Sequence, residues 1–307
     1  MGTNTRTNTA GRAFQKIKTV AEFTRIEHTL FALPFAFMGT VLATAGMPEL
    51  MTVFWIFVGL IGGRSASLMI NDLIDEPIDA ENPRTDDRPL PSGRLSHTEA
   101  YILIAVASLV LFFSAWQISL TAFVLSPVIL INAYVYPHMK RISSASHLVL
   151  GLNGSYAPIG GWIAVRSQGA EVIPYLTSLE YLPAVILGGA LIFWYAGFDI
   201  IYSLQDLEFD KELGLKSVPT VYGREQAHRI SAVLHGVMLV FLIALLLWML
   251  YFTQMNWVIF AGGVLVSGVL LTYEHIIAEH DIGKAFFTVN AVVSGALFFS
   301  VVGAAML

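Results

Sequence analysis

Apolar runs of about twenty residues, separated by polar connections, recur along the whole chain. Measured against the roughly 20 residues that a membrane-crossing helix needs, they predict nine spans. These fall near 28–46, 51–71, 99–117, 119–137, 146–165, 182–204, 228–252, 256–273 and 284–306. The third-to-fourth and seventh-to-eighth connections are short, so those pairs are expected to be antiparallel hairpins. Residues 10–27 interleave Phe14, Ile17, Val20 and Phe23 with Arg12, Lys16, Lys18 and Arg25, the pattern of an amphipathic helix lying in the membrane interface. No continuous apolar core followed by a small-residue cleavage site occurs there, so the segment does not read as a signal peptide.

Composition agrees with the pattern. Of 307 residues, 56% are hydrophobic and only 13% charged, against roughly 25% charged in soluble domains. Mean hydropathy is +0.68. The expected fold class is an all-α polytopic membrane protein, a single membrane-embedded domain over 1–307. Cysteine is absent, which excludes disulfides, zinc-thiolate sites and a cysteine nucleophile. A net charge of −5 gives no support for nucleic-acid binding. With the N-terminus inside, all of the 17 Lys and Arg reach the cytoplasmic side except Arg166, opposite, and Arg64, within the second span. That bias predicts cytoplasmic loops at about 73–98 and 206–227 and an outside C-terminus. The two halves share a weak internal repeat: an apolar helix runs into an acidic cluster, then into a basic loop.

Those clusters are the candidate chemistry. The first is NDLIDEPID, with Asn71, Asp72, Asp75 and Asp79; the second is DIIYSLQDLEFD, with Asp199, Tyr202, Asp206 and Asp210. At about 100° per residue, the first four share one arc of a helix. The second set shares a face too, provided the helix persists past Asp206, whereas Pro77 favours a bend or an end within the first motif. Carboxylates gathered twice at a membrane boundary call for a multivalent cation. Oxygen donors without Cys or a sequence-local His favour Mg²⁺, which usually bridges a few carboxylates to phosphate oxygens. Capping helices and solvating loops is the plainer alternative for either cluster alone.

Basic residues extend the pattern. In the loop AENPRTDDRPLPSGRLS, Arg84 and Arg88 are expected to clamp phosphate ahead of Arg94, since a guanidinium fork matches that geometry. The plainer role is charge balance against Asp86 and Asp87. Arg64 precedes Asn71 by two helical turns, deeper in the membrane, and needs an anion: an Asp of either cluster, or a substrate carboxylate or diphosphate. Lys140, Arg141 and Lys216 either close over diphosphate or anchor the chain at the interface. An ion-coupled transporter is the rival from another class, but its acids would lie near the midplane rather than at one face.

The motifs NDxxDxxxD at 71–79, NPRTxxRPLPSG at 82–93, YPxMKR at 136–141 and DxxYxxxDxxxDxxxGxKS at 199–217 resemble those of the UbiA-type intramembrane aromatic prenyltransferases. The opening RIEHTLFALPFAFMG, 25–39, is most similar to the 4-hydroxybenzoate polyprenyltransferase branch, including menaquinone relatives of the futalosine pathway. The resemblance implies nine helices around a central cavity, two Mg²⁺ ions and a lateral opening for a prenyl tail, in a bacterial or archaeal cell membrane. By motif, Asn71, Asp75 and Asp79, with Asp72 adjoining, would serve one metal–diphosphate site, and Asp199, Asp206 and Asp210 the other. Arg88 and Lys140 would contact diphosphate, and Arg64 would hold the carboxylate of an aromatic acid. Tyr202 would either shape the pocket near the reactive carbon or form ordinary cavity wall. The implied substrates are a polyprenyl diphosphate and an aromatic acid in ubiquinone or menaquinone synthesis, with no obligatory protein partner. Haem, chlorophyll-type and ether-lipid acceptors are the alternatives within the superfamily.

Overall fold

The computed structural model describes residues 6–25 and 29–307, with side chains over 11–25 and 32–307. The predicted junction between the interfacial helix and the first span, residues 26–28, lies outside the described residues. In chain order the helices are α1 (Arg6–Thr24), α2 (Thr29–Thr44), α3 (Leu50–Asp79), α4 (His97–Ile118), α5 (Leu120–Leu125), α6 (Pro127–Ile142), α7 (Ser146–Arg166) and α8 (Val172–Thr177). There follow α9 (Leu182–Ser203), α10 (Leu207–Glu212), α11 (Val218–Tyr222), α12 (Arg224–Phe252), α13 (Trp257–Ile277), α14 (Ile282–Lys284), a π-helical turn (Ala285–Val289) and α15 (Asn290–Met306). No strand occurs among the described residues.

Among the described residues, eight of the nine expected spans are long and apolar enough to cross a bilayer. The remaining one is α2, whose 16 residues reach only about 24 Å at 1.5 Å per residue. It ends where Ala45 takes a left-handed backbone (φ 49°). The expected fourth span is two helices, α5 and α6, divided at Ser126 with Pro127 opening the second. Ser119 alone joins α4 to α5; its Oγ caps α5 by accepting from Ala122 N (3.0 Å) and lies 2.6 Å from Ser167 Oγ.

Small residues set how closely the helices meet, as expected where lipid supplies no hydrophobic drive between them. A Cβ on Gly39 would stand 1.9 Å from Pro158 O, joining α2 to α7. One on Gly151 would stand 2.2 Å from Ile192 O, joining α7 to α9. Around this centre, α3 packs on α4 and α6, α9 on α12, and α15 on both α2 and α13. Phe35, Trp162, Leu191, Trp194 and Leu242 fill the interior, while Leu109 and Leu265, 65% and 71% exposed, face outward.

Two expectations about the ends of the acidic helices need correction. Pro77 does not interrupt α3, which continues to Asp79, so the first loop begins at residue 80 rather than 73. The proline lacks only the N–H that would bond Leu73 O, a single bond in the last turns of the helix, and Arg141 Nη2 donates to the next carbonyl, Ile74 O (2.9 Å). Conversely, α9 does not persist past Asp206. It stops at Ser203, where i→i−3 bonds from Leu204, Gln205 and Asp206 tighten the last turn, and α10 starts afresh at Leu207.

Candidate active site

The first loop is a built structure. Arg84 N donates to Asn82 Oδ1 (2.9 Å) and Thr85 Oγ1 to Asp79 O (3.1 Å), while Leu90 and Leu95 are buried with Phe23, Met69 and Ala100. A capping box closes it: Glu99 N donates to Ser96 Oγ (3.3 Å), and Ser96 N to Glu99 Oε2 (2.9 Å). So anchored, the loop turns Arg84 toward the second cluster, where Nε and Nη2 make a forked pair with Asp206 Oδ1 (3.1 Å) and Oδ2 (2.7 Å). Both acidic clusters therefore occupy one end of the bundle.

Every aspartate on α3 meets a cation. Arg88 Nη1 lies 2.6 Å from Asp79 Oδ2 and 3.4 Å from Asp72 Oδ1. Lys140 Nζ, in the last turn of α6, pairs with Asp75 Oδ2, and Arg141 stands 3.6 Å from Asp75 Oδ1. Arg25 Nη2, at the end of α1, is 2.9 Å from Asp72 Oδ2, although its hydrogen bond runs to Oδ1 at 3.2 Å. Asp72, Asp75 and Asp79 are nearly inaccessible (3%, 2% and 7% exposed), and a buried carboxylate without a countercharge costs several kcal/mol.

The second cluster is held differently. Asp199 Oδ2 lies 2.6 Å from His147 Nδ1, and His147 Nε2 accepts from Val218 N–H at 3.1 Å. Lys216 N donates to Lys140 O (2.7 Å), tying the second loop to α6. Burial, then the neighbouring charge of Asp206, pushes Asp210 up to about 6, with Lys140 and His147 opposing. Burial acts to lower the Arg84 pKa, but its forked bond to Asp206 outweighs that and raises it.

Arg64 narrows one of the alternatives left open. It pairs with no Asp; its buried Nε has no hydrogen-bond partner among the described residues. It forms part of the wall of an apolar cavity of about 290 Å³ with Ser67, Asn153, Tyr156 and Tyr195, near the α3 positions that lead to Asn71. None of the acidic residues lines this cavity, whose lining on α3 reaches Ser67, about 6 Å of helix from Asn71. Tyr202 does not line it either; its ring packs on Phe286 at 4.1 Å between centroids. Arg94 turns away to a forked pair with Glu22 of α1 (2.7 Å and 2.7 Å).

Sequence reasoning missed His147 and Arg25 as site residues. Each meets its carboxylate from a remote helix, so no local spacing marks them; the only signal for His147 is a polar ring near the start of an apolar run. No group of three or more His, Asp or Glu among the described residues already forms a metal cage. The donor set nevertheless suits a cation shared with a ligand, because Asn71 Oδ1, Asp72 Oδ2 and Asp75 Oδ1 are buried without hydrogen-bond partners among the described residues.

A family model described as the UbiA prenyltransferase family matches residues 32–302. The chain belongs to that family. Among curated relatives, the 4-hydroxybenzoate octaprenyltransferase of Psychromonas ingrahamii is 32% identical over 235 residues, 76% of each chain. The protein of the same description from Vibrio atlanticus is 29% identical over 86% of this chain and 88% of its own. A UbiA homolog from Aeropyrum pernix superposes with a TM-score of 0.79 at 30% identity, covering 90% of this chain and 98% of that one. A UbiA homolog from Archaeoglobus fulgidus, solved with GPP and Mg²⁺, gives 0.70 at 21% identity over 92% and 99%, a likeness of fold. This UbiA chain is thus a membrane-embedded prenyltransferase.

Proposed function

We propose that this UbiA prenyltransferase transfers a polyprenyl group from an allylic polyprenyl diphosphate to an aromatic acid of the 4-hydroxybenzoate type, in ubiquinone or menaquinone synthesis. One observation carries the reading: Arg84 of the first loop pairs with Asp206, and Lys140, paired with Asp75, accepts from Lys216 N of the second loop, so both acidic clusters share one end of the bundle, near an apolar cavity whose wall holds Arg64, which pairs with no acid among the described residues. The relatives' description supplies the acceptor class.

Asn71, Asp72, Asp75 and Asp79 on one side, and Asp199, Asp206 and Asp210 on the other, would hold Mg²⁺, as two ions with the diphosphate between. Bound there, Mg²⁺ neutralises phosphate charge and so favours departure of diphosphate. Arg84, Arg88 and Lys140 exchange their carboxylate partners for phosphate oxygens and stabilise the charge that builds as the allylic C–O bond breaks. The bond's electron pair leaves with diphosphate. Water kept out by the apolar walls cannot capture the allylic cation. Arg64 holds the acceptor's carboxylate, orienting the ring so that the carbon ortho to its hydroxyl attacks; a C–C bond forms and the ring loses a proton. With the basic loops inside, the site opens at the cytoplasmic face.

The test uses membranes carrying the full chain, labelled geranyl diphosphate and a panel of aromatic acids. Labelled 4-hydroxybenzoate product that disappears with EDTA, and in Asp75→Ala or Asp206→Ala, is expected. Undiminished product with both clusters neutralised would refute the assignment, and product only with a haem, chlorophyll-type or ether-lipid acceptor would reassign the substrate.

A further inference from the structure

His147 stands at the start of α7, only 5% exposed, and both of its ring nitrogens are engaged. Val218 has an amide hydrogen to give and nothing to accept with at that atom, so Nε2 must present its lone pair. The proton therefore sits on Nδ1 and points at Asp199 Oδ2, 2.6 Å away. The tautomer follows from the partners. With both nitrogens occupied, the ring has no atom left for a metal. It can only orient the carboxylate that would bind one, as outer partners do for ligands in metal sites.

The same ring does a second thing. Val218 opens α11, in the loop that carries Lys216, and Ser217 just before it caps that helix through Thr220 N. His147 thus links one acid on α9 to the backbone of the second loop. The Gly151 contact holds α7 against α9, one helical turn further along.

We propose that His147 is a positioning residue: its Nδ1–H fixes Asp199 for cation binding, and its Nε2 latches the second loop through Val218. The proposal rests on Asp199 being a cation ligand, so the test separates the two. Free Mn²⁺ is followed by electron paramagnetic resonance during titration of the purified full chain. The variants are Asp199→Asn, His147→Asn and His147→Gln, and tryptic cleavage at the exposed Lys211 and Lys216 reports on the loop. Asn places an N–H donor where Nδ1 was but loses the Nε2 acceptor; Gln reaches the Nε2 position with an acceptor but loses the Nδ1 donor. His147→Gln is expected to weaken Mn²⁺ binding by about tenfold or more, within the range known for outer-shell partners, while the loop stays protected. His147→Asn is expected to keep Mn²⁺ affinity within about threefold and to speed cleavage. Unchanged Mn²⁺ binding in Asp199→Asn would remove the ligand assignment and the proposal with it. Weakened binding in Asp199→Asn, with none in His147→Gln, would overturn the positioning role alone. Equal effects of Asn and Gln on both readouts would mark His147 as packing, and would also overturn it.

Discussion

Replacing Lys140 with Met separates what the lysine does for the protein from what it does for the substrate. Its ammonium pairs with Asp75, 2% exposed, so the substitution strands a buried carboxylate. Breaking one half of such a pair costs about 3–5 kcal/mol. Two facts reduce that here: a quarter of the Lys140 side chain is exposed, and Arg141 stands 3.6 Å from Asp75 Oδ1 to take up part of the charge. We expect a destabilisation of about 2–3 kcal/mol, read as a lower midpoint in thermal unfolding of the detergent-solubilised protein. Adding Asp75→Asn removes the stranded charge, and the double variant should recover to within about 1 kcal/mol of the parent. Prenylation should behave differently. Loss of a cation facing the leaving diphosphate lowers kcat by about 10²–10³, and the double variant, lacking a metal-binding carboxylate too, should stay inactive. Recovery of turnover together with stability would show that the pair is structural and refute the role given to Lys140.

Arg64→Met should raise KM for the aromatic acid at least about tenfold without loss of stability, because no protein anion is stranded; an unchanged KM would send the carboxylate elsewhere. Gly160 lines the cavity and a Cβ added there would meet nothing within 4 Å, so Gly160→Phe should keep the fold while the ring displaces substrate. The check is size-exclusion behaviour beside turnover with a long and a short prenyl diphosphate, and equal, unimpaired turnover of both would exclude the cavity from the substrate path. Gly151→Val meets Ile192 O at 2.2 Å and should cost about 3 kcal/mol or more of stability, seen as a loss of folded protein in detergent.

Periodicity told which residues share a helix face, but not which faces meet. The acids of α3 share an arc because α3 is a helix through Asp79, although Pro77 pointed to a bend or an end within the motif. Their partners lie far off in sequence: Arg84 and Asp206 are 122 residues apart, His147 and Asp199 52, Arg25 and Asp72 47. Nothing local encodes those meetings. They depend on how deeply α7 seats against α2 and α9, which the glycines at 39 and 151 allow and the backbones opposite them define.

The three arginines of the first loop show the same limit within a dozen residues. The sequence ranks Arg84 and Arg88 ahead of Arg94, yet the guanidinium fork suits phosphate in each case and gives no partner for any of them. Arg88 follows Thr85 and Asp86 in a turn folded back on the end of α3, so its Nη1 falls between Asp72 and Asp79. Arg84 sits on the turn begun by Asn82, facing out toward α10 and Asp206. After Arg88 the chain dips inward at Leu90, turns through Gly93 with φ 69°, and dips again at Leu95, just past Arg94. That double anchor aims Arg94 at α1, where Glu22 occupies both arms of its fork. Glycine accepts the left-handed backbone that such a turn requires, so a Gly between two leucines foretells the reversal. Which arginine it carries out of the site depends on α1 crossing just there, a fact of tertiary packing.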